Sequence, residues 1–68
     1  MSSWQKVYQD PQQYRAEIVK AVLEDNDISA VVLSKKDPSY HFGHFEVQVV
    51  SDDVIKAIKI IQDDISFK

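Results

Sequence analysis

The side chains best able to do chemistry crowd into one stretch of this 68-residue chain, Lys35-Lys36-Asp37-Pro38-Ser39-Tyr40-His41-Phe42-Gly43-His44. Two lysines, a tyrosine and two histidines have the makings of an anion site. The lysines act as point charges, Tyr40 stacks or hydrogen-bonds, and backbone N–H groups near Gly43 add donors. Lys35, Lys36, Tyr40 and His41 are therefore the candidate ligand-binding residues. A glycine-rich phosphate loop is excluded, because Gly43 is the one glycine in the chain. His41-x-x-His44 offers two nitrogens where zinc wants three or four ligands, and only Asp37 and Glu46 stand close in sequence. The chain has no cysteine, so thiolate sites and disulfides are also excluded. No metal and no cofactor is expected. No catalytic residue is assigned: no nucleophile–base–acid set is visible, and so small a chain has little room to enclose a substrate. The expectation is a non-enzyme.

The elements that must position these groups follow from periodicity and punctuation. Residues 3–9 read as a first strand, with Trp4, Val7 and Tyr8 supplying strand-favouring side chains. Asp10-Pro11-Gln12-Gln13 is a helix start, with Asp10 capping, Pro11 at the first helical position and Gln13 completing a capping box. The helix runs to about Asn26, whose tolerance of positive φ makes it the stop, and its apolar face is Tyr14, Ile18, Ala21, Val22 and Leu23. A β-branched run over residues 28–33 is the second strand, and residues 35–42 form a polar connection. Residues 44–50 alternate cleanly, with Phe45, Val47 and Val49 inward and His44, Glu46 and Gln48 outward. Ser51-Asp52-Asp53 caps a second helix carrying Val54, Ile55, Ile58, Ile61 and Ile65. The order β-α-β-β-α puts strand three between strands one and two, with both helices on one face. This is an α+β, ferredoxin-like sandwich lacking its last strand.

Length and composition bound the rest. Sixty-eight residues make one domain, 1–68, and a hydrophobic fraction of 44% suffices for a compact core. No apolar run is long enough to span a bilayer, so a soluble intracellular protein is expected. A net charge of −3 weighs against nucleic acid.

The helix-free face of the sheet is the leading candidate surface. With Val7 turned toward the helices, alternation sends Trp4, Lys6 and Tyr8 to the other side, where Val31 and Leu33 join them. Trp4, Tyr8, Val31 and Leu33 are the candidate partner-binding residues, for a homodimer or another protein. The outer edge of strand one is open to a second chain unless residues 65–68 cover it. Glu24, Asp25, Asp27, Asp52 and Asp53 gather at one end of the molecule as a solvated acidic pole. Single-stranded RNA stacking on Trp4 and Tyr8 is disfavoured by the acidic balance and by Glu46 on the same face.

Lys6-Val7-Tyr8, Ala16-Glu17-Ile18-Val19-Lys20, Ile28-Ser29-Ala30-Val31-Val32 and Lys35-Lys36-Asp37 together resemble a family of small bacterial proteins of unknown function, the prokaryotic signal transducing proteins. Their fold is likened to the nitrogen-regulatory PII proteins. The resemblance covers roughly the whole chain and implies a bacterial, cytoplasmic protein with a ferredoxin-like fold; it carries over no catalytic or ligand residue. One departure is local: family members often have glycine where this chain has Asn26 or Asp27. The expected function is a small regulatory or interaction domain that works by binding through the open sheet face. The alternative is a sensor of an anionic metabolite using the stretch from Lys35 to His44.

Overall fold

A computed structural model describes residues 3–37 and 42–65. Three strands, β1 (Trp4–Asp10), β2 (Ala30–Asp37) and β3 (Phe42–Val50), form an antiparallel sheet in the order β1-β3-β2. Helix α1 (Gln13–Asp25) connects β1 to β2, and a 3-10 turn (Ser51–Asp53) leads from β3 into helix α2 (Val54–Asp64). Both helices pack on one face. The expected β-α-β-β-α ferredoxin-like architecture is present, with β3 in the middle.

The core is assembled from small and β-branched side chains. Ala16, Val19 and Leu23 of α1 and Ala57 of α2 are buried against Ala30, Val47 and Val49 of the sheet and Ile28 just before β2. Alanine at the point where each helix meets the sheet allows close approach. The buried stripe of α1 is therefore Ala16-Val19-Leu23, spaced i, i+3, i+7. Tyr14 and Ile18, expected on that face, are exposed, as is Ala21. In α2, Val54, Ile60, Ile61 and the following Ile65 pack against the core, whereas Ile55 and Ile58 face solvent.

Three boundaries differ from those expected, each for a local reason. Helix α1 starts at Gln13 with Gln12 as its cap, not at Pro11 with Asp10 as its cap. The Asp10 Oδ1 atom accepts the Gln12 N–H at 2.8 Å, and this side-chain turn swings the chain from strand into helix. At the other end the left-handed residue is Asp27 (φ 64°), while Asn26 has φ −103°. Asp27 N–H donates to Glu24 O and Ile28 N–H to Leu23 O, both at 3.0 Å, which is the Schellman pattern. Its usual hydrophobic clasp is present too, because Leu23 and Ile28 are both fully buried. Strand β2 begins at Ala30 and runs through the lysines to Asp37, pairing with β3 without a register break. The polar connection thus shrinks, and Lys35 and Lys36 stand on a strand.

Two stability measurements test this frame. Leu23→Ala empties the centre of the helix–sheet contact, and urea denaturation should show a loss of about 2–5 kcal/mol, enough to unfold much of so small a domain. Asp27→Val places a β-branched residue at positive φ and should cost roughly 1–2 kcal/mol, whereas Asp27→Gly should be neutral to slightly stabilising.

Candidate functional site

The helix-free face is set by the register of the three strands. Trp4 lies opposite Val50. The next row is Lys6, Gln48 and Val31; then come Gln9, Glu46 and Leu33, with His44 and Lys35 last. Trp4 is 48% exposed, and Val31 and Leu33 are half-buried.

Tyr8 is not part of this face. The register steps from Lys6↔Gln48 to Tyr8↔Val47, so Val7 is an extra residue in β1. This bulge cancels the alternation, and both Val7 and Tyr8 pack against the core. The Tyr8 hydroxyl donates to Asp10 Oδ2 at 2.7 Å, on the helix side of the sheet. Trp4, Val31 and Leu33 are where they were expected, but they do not form one apolar patch. Polar residues of β3 lie between them.

Those polar residues form a fixed network. Glu46 sits opposite Leu33 near the middle of the face, with a largely buried side chain. One carboxylate oxygen lies 2.9 Å from His44 Nε2, and the other accepts from Gln48 Nε2 at 3.2 Å. The His44 contact, aided by Gln48 and by the charges of Lys6 and Lys35, holds the Glu46 carboxyl below its ordinary value despite partial desolvation. Lys6 Nζ also donates to Gln9 Oε1 at 2.9 Å along the edge strand. The face therefore presents a satisfied charge network flanked by an indole on one side and two aliphatic side chains on the other.

A second cluster caps the helix layer. The buried Asp10 carboxylate takes the Gln12 N–H and the Tyr8 hydroxyl, and Arg15 Nη1 lies 3.7 Å from Oδ2. The Gln12 bond, then the Tyr8 bond, lowers the Asp10 carboxyl below its ordinary value. Burial, reinforced by Asp10, pushes the Tyr8 phenol up to about 12. The sequence signal was Tyr-x-Asp-Pro at the end of a strand, read only as a cap.

The proposed anion-binding set is not brought together among the described residues. Lys35 shares the open face with His44, and strand alternation turns Lys36 to the opposite side. Tyr40 and His41 lie outside the described residues. Among the described residues no three histidine or carboxylate side chains gather to hold a metal. A shallow hollow of about 320 Å³ lies at the start of β2, lined by Glu24, Asp27, Ile28 and Ser29. No described helix is long and apolar enough to cross a membrane.

Among the described residues, a three-stranded sheet with both helices on one face defines a minimal α+β module. Residues 4–64 match the family described as "Putative prokaryotic signal transducing protein", and the chain belongs to that family. No curated protein and no solved structure matches it.

The two ionisable clusters predict how stability depends on pH. Asp10 and Glu46 have lowered pKa values, so their contributions are complete above pH 3.8 and 4.5 and are lost as pH falls through the lower folded values. The Tyr8 pKa is raised, so its contribution is complete below pH 10.0 and is lost as pH climbs toward about 12. Thermal melts across pH should show both limbs. Tyr8→Phe should flatten the alkaline limb and remove the highest-pH step from a phenolate absorbance titration.

Proposed function

We propose that this protein is a small cytoplasmic regulatory module, non-catalytic, which signals by binding a protein partner on its helix-free sheet face. The observation that carries this reading is Trp4: an indole 48% exposed on a face no helix covers, beside a carboxylate network already satisfied within the protein. An aromatic anchor next to pre-organised polar groups is the composition of a protein-binding hot spot. The charges of the face are mixed: Lys6 and Lys35 flank the Glu46 carboxylate, which its neighbours hold in the ionised form. The partner surface that fits is apolar, with acidic groups placed to meet Lys6 and Lys35 at short range. The family description, a role in signal transduction, agrees with a domain that works by contact.

Photo-cross-linking in bacterial extract tests the assignment. A photoreactive residue at Gln48, in the middle of the face, should give a discrete protein adduct, while one at Ile55, exposed on α2, should not. With the captured partner in hand, Trp4→Ala should weaken binding by about tenfold or more and leave the melting temperature nearly unchanged. Equal adducts from both positions, or full affinity without the indole, would remove the face from consideration.

A further inference from the structure

We propose that two copies of this chain join through the outer edge of β2, in antiparallel register, to make one continuous six-stranded sheet. The inference concerns the strand edge and stands apart from the docking role of the open face.

The two edges of the sheet are not alike. β1 is interrupted by the bulge at Val7 and carries Lys6 on its middle, two devices that blunt an edge against pairing. β2 has no bulge, and its lysines, Lys35 and Lys36, come only in its last three residues. Its register with β3 runs unbroken from Ala30↔Val49 to Asp37↔Phe42, without proline, glycine or bulge, and it opens with Ala30-Val31-Val32-Leu33. Among the described residues no backbone hydrogen bond reaches β2 from outside the sheet, so its outward N–H and C=O groups are unpaired there.

Symmetry narrows the pairing. Two identical edges pair antiparallel only about a two-fold axis normal to the sheet, and each side of the sheet must then meet its own kind. The axis therefore passes through a residue. Placing it at Leu33 pairs every position from Ala30 to Lys36. Leu33 then meets the partner's Leu33, Val31 lies opposite the partner's Lys35, and Ala30 lies opposite the partner's Lys36.

Charge supports this register. Lys36 shares the helix side of β2 with Ala30 and Val32. The pairing carries it to the start of the other copy's β2, where Glu24 and Asp27 line the hollow described above. Each end of the interface thus sets a lysine beside Asp27 and beside Glu24, which already pairs with Lys20 at 3.2 Å, and this suits a self-complementary contact.

Sedimentation of the full chain should show a concentration-dependent species of twice the chain mass. Hydrogen exchange at the amides between Ala30 and Lys36 should slow as protein concentration rises. Lys36→Glu, at an exposed position whose change leaves the circular dichroism spectrum intact, should weaken the dimer by about tenfold. Combining it with Glu24→Lys should restore much of that loss. A monomer at every concentration to the millimolar range would overturn the proposal. So would a dimer indifferent to Lys36→Glu, or concentration-dependent protection along β1 in place of β2. Trp4→Ala leaves this edge untouched, so the edge and the open face fail or succeed separately.

Discussion

The hinge of the molecule is the Asp10 carboxylate. Within three residues the chain must leave a strand, reverse direction and enter a helix packed on the strand it has just left. Asp10 makes that turn by accepting the Gln12 N–H. Its second oxygen takes the Tyr8 hydroxyl, with Arg15 at its side. One acid thereby ties the end of β1 to the first turn of α1, and offsets a cation placed at the unfavourable positive end of the helix dipole. The bulge at Val7 belongs to the same construction. Without an extra residue in β1, Tyr8 and Asp10 would both turn to the open face, away from the first turn of α1.

A core this small depends on such local ties. Among the described residues the buried side chains include three alanines, Ala16, Ala30 and Ala57, and no aromatic ring. Close helix approach replaces bulk. Little apolar area is removed from water, and the margin of stability in a domain of this size is correspondingly thin. The Schellman clasp at the end of α1, which seats both Leu23 and Ile28 in the core, does the same at the opposite pole as Asp10 does at the start. Glycine at this point would meet the positive φ without strain. Asp27 adopts it with a short polar side chain and leaves a carboxylate at the mouth of β2.

Much of the fold was legible because β3 is written with unusual clarity. The alternation of Phe45, Val47 and Val49 with His44, Glu46 and Gln48 identifies both faces of the central strand, and strand order follows from the connections. The misreadings share a cause: local pattern was ambiguous and tertiary contact decided. Lys6-Val7-Tyr8 looks like ordinary alternation, and nothing in it announces a bulge. Helix α1 carries two apolar stripes, and the one with the smaller residues faces the sheet because it lets the backbone come closer. Ser34-Lys35-Lys36 lacks strand propensity and is drawn into β2 by its partner on β3. At the candidate site, the outward direction of Glu46 and His44 could be read from parity. Their mutual contact, and the separation of Lys35 from Lys36, required the register.

The bulge at Val7 also sets an upper limit on growth. A sheet with two regular edges can add copies at both sides without end, which is the geometry of a fibre. With one edge kinked, extension is available on a single side. Once two such edges have met each other, only kinked edges face outward. One surplus residue in β1 therefore disfavours open-ended edge-to-edge assembly of this chain.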